Sequence, residues 1–410
     1  MTLSNLRINI DRLISRIEGL AEIGAIDGGG VCRMALTDED RQGRDLVVKW
    51  MHELDLEVTV DQIGNVVGIR AGQESGRPVM TGSHIDTVAS GGRYDGNLGV
   101  LAGLEVIETL NDSNIITRKP IGVGFFTNEE GSRFAPDMMG SGVHQGAFEL
   151  KRMLDVLDID GERVGDELEK IGYAGDTSTG DFRADSFFEL HVEQGPILEL
   201  EDYEIGAVEG VQGISWNEYR IGGTANHAGT TPMRLRHDAG YVAAAISIEV
   251  RRLAKEMGGD QIGTVGVTKL NPGLINVIAK EALITIDMRN TDEQKLQEAE
   301  RSIGSFIEQI CKAEGVTCSS RTLARFEPVL FDKKMISLVS ETASALGFRV
   351  KSMPSGAGHD AQMFAPNCPT AMIFVPSQNG ISHNVAEYTE PKHLQAGADV
   401  LLQIMLHKSL

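Results

Sequence analysis

Residues 78–131 read PVMTGSHIDTVASGGRYDGNLGVLAGLEVIETLNDSNIITRKPIGVGFFTNEEG. An apolar run at 78–82 is followed by helical spacing over Gly99–Leu110 and a second β-type run, Ile121–Phe126. Strand, helix and strand in that order predict two parallel strands joined by a crossover helix. Each strand ends in polar residues: His84 and Asp86 after the first, Glu129 and Glu130 after the second. Open α/β sheets bind ligands at the carboxyl ends of parallel strands, so one stretch predicts both the fold class and the place of the site.

On the N-terminal side, residues 40–53 have helical spacing, and short apolar runs follow at 55–60 and 65–70. These extend the βαβ alternation and predict a mostly parallel sheet covered by helices. The first twenty residues, MTLSNLRINIDRLISRIEGL, read as an amphipathic helix. Asp11 and Glu18 interrupt the continuous apolar core that a signal peptide needs. On the C-terminal side the pattern changes near 205–215. A strand pattern at Trp216–Ile221 precedes a helix around 238–257, strands at 263–270 and 281–288, a helix at 292–314 and a strand at 316–324. That β-α-β-β-α-β order predicts a ferredoxin-like α+β insertion. We place it at residues 211–326 as a lid and dimerisation domain. It splits an α/β catalytic domain into 1–210 and 327–410.

Composition narrows the partners. The 410 residues carry a formal net charge of -21, which disfavours nucleic acid and anionic membrane surfaces. No run of about 18 apolar residues suggests a membrane span. Four scattered cysteines, Cys32, Cys311, Cys318 and Cys368, form no CxxC pair. They fit a reducing, cytoplasmic setting.

Five His or carboxylate clusters carry the chemistry. His84 and Asp86, two apart on an extended segment, share a face, and the Asp86 carboxylate is placed to accept the spare imidazole N–H. Asp95 in Gly91-Gly-Arg-Tyr-Asp95-Gly96 is either an ordinary turn residue or a carboxylate held rigidly enough to bridge cations. Glu129 and Glu130 are either a surface acidic pair or a division of labour between proton transfer and ligation. His191, inside the apolar run Phe187–Val192, and His383, in a Gly/Ser loop, each have a bland reading as a core or surface histidine. Jointly, the set has the donors that two divalent ions need. The absence of cysteine ligands leaves Zn, Mn, Co and Ni open.

Longer motifs surround these residues: GSHIDTVASGGRYDGNLGV (82–100), TNEEGSRFAPDMMGS (127–141), ELHVEQGPILE (189–199), ANHAGTTPM (225–233), INVI (275–278) with DMRNTD (287–292), SGAGHDAQMFA (355–365) and GISHNVAE (380–387). With them the chain, from about residue 8 to 405, resembles the amidase/hydantoinase-carbamoylase branch of the dinuclear metallopeptidase superfamily. The resemblance implies two metal ions, one on His84, Asp95 and His191, the other on Asp95, Glu130 and His383. It implies Glu129 as general acid/base, Asp86 as the carboxylate behind the ligands, and His227 as donor to a tetrahedral oxyanion. Gln194, Asn276 and Arg289 match substrate contacts. His359 is expected to be structural or adjacent to substrate. The implied reaction is hydrolysis of the carbamoyl C–N bond of an N-carbamoyl-L-amino acid or similar ureido acid, by a homodimer. Allantoate hydrolysis is the nearest alternative. A dipeptidase or aminoacylase, or a metal-free binding protein, is more remote.

Overall fold

The computed structural model describes residues 5–181 and 183–410. Residues 1–4 of the N-terminal helix reading lie outside that range, and the helix itself spans Ile10–Ala21. The chain divides into two compact units, Met1–Gly210 with Leu330–Leu410, and Val211–Val329.

The larger unit is built on a nine-stranded sheet. Its centre is parallel: Thr370–Val375, Ser186–Val192, Val79–Ser83 and Ile121–Phe125 run side by side in that order. Burial on both faces explains their near-continuous apolar sequence. The connecting helix, Asn97–Asp112, is buried along most of its length. It can lie directly on the sheet because of Gly99, where a Cβ would come within 2.6 Å of the Leu190 carbonyl oxygen.

The flanks correct the mostly parallel expectation, because the sheet is mixed. Val66–Arg70 pairs antiparallel with both Ile121–Phe125 and Glu57–Val60, and Ile205–Val211 pairs antiparallel with Thr370–Val375. The apolar runs at 55–60 and 65–70 are too close in sequence for a crossover helix, so they form a hairpin.

In the second unit, strands Gly213–Gly222, Ile262–Asn271, Glu281–Asn290 and Thr317–Phe326 alternate with helices Ala239–Met257 and Glu293–Glu314. The sheet order, in strand number within the unit, is 2-3-1-4 and wholly antiparallel. This is the split βαβ arrangement the sequence pattern predicts. Alternate residues of the central strand, including Ala282, Ile284, Ile286 and Met288, point into a core shared with both helices. The compact unit extends to Val329, three residues beyond the sequence boundary.

Candidate metal centre

The four parallel strands deliver their carboxyl ends to one place. His84 follows Val79–Ser83 directly, Glu129 and Glu130 follow Ile121–Phe125, and His191 lies near the end of Ser186–Val192. Asp95 comes from the turn before the connecting helix, and His383 from the loop after Thr370–Val375.

Asp95 is the hub. Its Oδ1 lies 3.5 Å from His84 Nε2 and 3.2 Å from His191 Nε2, while Oδ2 lies 3.4 Å from His383 Nε2. His383 Nε2 is also 3.3 Å from Glu130 Oε2. Beside a group of Glu189, His191 and His359, the donors around Asp95 form two groups, His84 with Asp95 and His191, and Asp95 with Glu130 and His383. Within each group the donor atoms lie within 4.8 Å of one another. Asp95, Glu130, His191 and His383 line a cavity of about 100 Å³ together with Glu129, Gln194 and Asp137.

The hydrogen bonds behind the imidazoles decide what these groups can hold. His84 Nδ1 is 2.9 Å from the Asp86 carbonyl oxygen, and His191 Nδ1 is 2.8 Å from the Val192 carbonyl oxygen. A carbonyl only accepts, so both Nδ1 atoms carry a proton, and each Nε2 faces Asp95 either protonated or as a lone pair free for a cation. Lone pairs facing carboxylate oxygens repel unless a cation or proton lies between them. The donor set therefore fits divalent cations, and His-plus-carboxylate chemistry matches them.

Electrostatics agree. Burial alone would raise Asp95, yet the surrounding imidazoles, His191 foremost, hold it well below the usual carboxylate range. Burial pushes Glu129 well above its ordinary value, with His84 opposing. Burial and then the neighbouring Asp95 push Glu130 up to about 8. So many carboxyls in one buried site repel one another, and added positive charge relieves that repulsion.

Asp86 departs from the sequence expectation. Its carboxylate is 3.9 Å from His84 Nδ1, and it is the Asp86 backbone carbonyl that takes the imidazole proton. The carboxylate instead accepts the backbone N–H groups of Glu129 at 3.2 Å and Glu130 at 3.3 Å. It fixes the two acidic residues through their main chain. Gln194 likewise faces Asp95, donating from Nε2 to Oδ2 at 2.8 Å, while its buried Oε1 has no partner. Gln194 and His383 are both held at positive φ, 58° and 51°, a conformation that costs free energy and persists where function demands it. His359 is buried, its Nε2 bonded to Ser355 Oγ at 2.8 Å and its ring edge-on to His191.

Three supporting residues escaped the sequence reading. Glu189, buried in the same strand as His191, accepts from Ser83 Oγ at 2.6 Å and from the Ala361 N–H at 2.7 Å. It ties together the segments bearing His84, His191 and His359. Glu387 accepts the N–H groups of Tyr94 and Asp95 at 2.9 and 3.1 Å. Arg33 donates to the Ile85 carbonyl and to Asn97 Oδ1, bracing the His84 loop. A carboxylate two residues before a histidine in an apolar run was the legible signal for Glu189. Glu387 and Arg33 carried none, since their partners are remote in sequence.

Residues 80–407 match the model of peptidase family M20/M25/M40. The chain belongs to that family. Its members are metal-dependent, which agrees with the donor groups described above. An N-carbamoyl-L-amino-acid amidohydrolase of Rhizobium meliloti is 41% identical over 98% of this chain and 97% of its own length. An allantoate amidohydrolase of Bacillus subtilis is 34% identical over 95% of each. Among solved structures, an amidase of the hydantoinase/carbamoylase family from Burkholderia multivorans superposes with a TM-score of 0.96 at 43% identity, covering 98% of both chains. These similarities put the chain in the hydantoinase/carbamoylase branch of the family. Among the described residues no helix is long and apolar enough to cross a membrane.

The second unit brings only some of its candidates together. His227 pairs with Val277 in an isolated bridge, and the Ala228 N–H donates to the Asn276 carbonyl at 2.9 Å, so His227 and Asn276 are neighbours. His227 Nδ1 accepts from the Gly229 N–H at 3.0 Å, which leaves its Nε2–H as an exposed donor. Arg289 is elsewhere. It lies near the far end of Glu281–Asn290, about 27 Å from Glu281 at roughly 3.4 Å per residue. There it bonds Asp287, at 3.0 Å from Nη2 to Oδ2, and covers the Trp216 ring.

Proposed function

We propose that this protein is a hydrolase that cleaves the carbamoyl C–N bond of an N-carbamoyl-L-amino acid, using two divalent metal ions per chain. The observation that carries the reading is Asp95, whose two oxygens face two separate donor groups. That is the arrangement of a carboxylate shared between cations. His84, Asp95 and His191 would hold one ion, and Asp95, Glu130 and His383 the other.

Two ions bound there would lower the pKa of a water towards neutrality and polarise the carbamoyl oxygen. Glu129 takes the proton of the attacking water and returns it to the leaving nitrogen. Asp86 fixes the main chain of Glu129 during both transfers. His227 offers its Nε2–H to the developing oxyanion. Gln194, through its unpartnered Oε1, accepts a substrate N–H, while Asn276 and Arg289 hold the carboxylate. Arg suits that task because its planar fork matches two carboxylate oxygens. The products are the amino acid and carbamate, which decomposes to ammonia and carbon dioxide.

The working form in this reading is a cytoplasmic homodimer joined through the inserted unit. The separation of Arg289 from His227 and Asn276 supports it. One small ureido acid meets all three side chains only if two copies contribute them. The exposed edge strand Ile262–Asn271 offers unpaired backbone groups for that association.

Relatives acting on N-carbamoyl-L-amino acids by name include those 41% and 37% identical to this chain, and the allantoate amidohydrolase is 34% identical. This ranking favours the first substrate class. The deciding experiment loads the protein with Zn, Mn, Co or Ni, measures bound metal, and follows ammonia release from N-carbamoyl-L-amino acids and from allantoate. Release from allantoate alone overturns the substrate assignment, and absence of bound metal overturns the mechanism.

A further inference from the structure

Asp137 lines the same cavity as the metal donors but belongs to none of the donor groups. The loop that carries it is tightly built. The N–H groups of Met138, Met139 and Gly140 donate to the carbonyls of Glu129, Asn128 and Thr127 at 2.8, 3.3 and 2.8 Å. Asn128 Nδ2 donates to the carbonyls of Phe134 and Pro136 at 2.8 and 3.1 Å. Gly131 lies so close that a Cβ there would come 2.9 Å from Asp137 Cα. Asp137 is thus held at the cavity by the same backbone that aims Glu129 and Glu130.

An aspartate just before a helix ordinarily caps it. That role is not taken here. The helix Met139–Gln145 has no side-chain cap, and its first N–H groups are spent on the 127–129 backbone. Among the described residues, Asp137 forms no ion pair, and burial pushes its carboxyl up, with its own backbone N–H opposing. A partly buried carboxylate without a cation is met by protonation or by a positive partner, and its place on a binding cavity lets a ligand supply the second. In the proposed reaction the two ions neutralise Asp95 and Glu130, and Glu129 handles the proton. Asp137 remains as the lining carboxylate with no assigned partner.

We infer that Asp137 is a specificity-determining residue, selecting ureido acids whose side chain ends in a cation, of the ammonium or guanidinium type. This rests on the proposed N-carbamoyl-amino-acid activity and deepens it. The test measures kcat/KM of the metal-loaded enzyme for N-carbamoyl-L-lysine, N-carbamoyl-L-norleucine and N-carbamoyl-L-glutamate. The wild type is expected to favour lysine over norleucine by about tenfold or more, as a charge-assisted hydrogen bond would give. Asp137→Ala should collapse that ratio. Asp137→Lys should move the preference to glutamate. Bound metal and thermal midpoint, measured on each variant, separate this effect from misfolding. If the variants lose metal or unfold, the wild-type ratio alone decides. Turnover of all three substrates with no preference for lysine overturns this inference and leaves the proposed function standing. No turnover of any N-carbamoyl acid overturns both.

Discussion

Gly96 lies directly against the His84 imidazole: a Cβ on Gly96 would come 2.4 Å from the ring Cε1, and Gly96 itself adopts φ of 66°. Its N–H also reaches His191 Nε2 at 3.1 Å. One glycine therefore sets the spacing between the Asp95 turn and both imidazoles of one donor group. Gly96→Ala should displace the His84 ring and weaken metal binding, on top of a strain of about 1 kcal/mol for the left-handed backbone. Metal titration followed by calorimetry checks it. An unchanged affinity would show that the turn yields without moving the ring.

Glu129→Gln keeps size and shape but removes the titrating group. Turnover should fall by about 10²–10⁴-fold, with bound metal unchanged. Elemental analysis beside steady-state kinetics separates the two quantities. A variant with wild-type kcat would remove Glu129 from proton transfer.

Arg289 and His227 cannot serve one substrate from one copy if the distance along the sheet is kept. His227→Ala and Arg289→Ala should each be strongly impaired alone. Mixed after reversible dissociation, the two variants should regain up to about a quarter of wild-type activity, because half the sites of a mixed dimer are intact. No recovery, despite exchange shown by light scattering or mass measurement, would place all three contacts in one chain.

Asp399 gives a pH dependence outside the metal centre. Burial pushes its carboxyl up to about 6, against opposing pulls from the Ile8 N–H and Arg7. A raised carboxyl favours the protonated folded state. The stability it lends is complete below the unfolded value of about 3.9 and is lost as pH rises to about 6. Asp399→Asn keeps an acceptor for Ile8 and should flatten that slope. The difference in thermal midpoint between wild type and variant should favour the variant increasingly from pH 4 towards pH 7. A constant difference would refute the assignment.

Local pattern carried much of this architecture because helices and strands impose short periods on sequence. Residues 99–110 show the helix and 121–126 the strand, and the inserted β-α-β-β-α-β order fixes its own small set of topologies. The hairpin of 57–60 and 66–70 was misread because periodicity identifies a strand without naming its partner. The candidate donor residues were legible as residue types at strand ends, since His, Asp, Glu and Cys are the usual protein ligands and no Cys lies at those ends. Which atom of each residue serves was not. Asp86 binds the imidazole through its carbonyl and the acidic pair through its carboxylate, because the loop after His84 turns the side chain towards residues 129 and 130. Glu387, Arg33 and Asp137 acquire meaning only from neighbours that the fold supplies, the first two across wide separations in sequence. The gap between Arg289 and His227 is likewise tertiary. It follows from an extended strand, whose rise of about 3.4 Å per residue carries Arg289 about 27 Å from Glu281, at the strand end that Asn276 precedes.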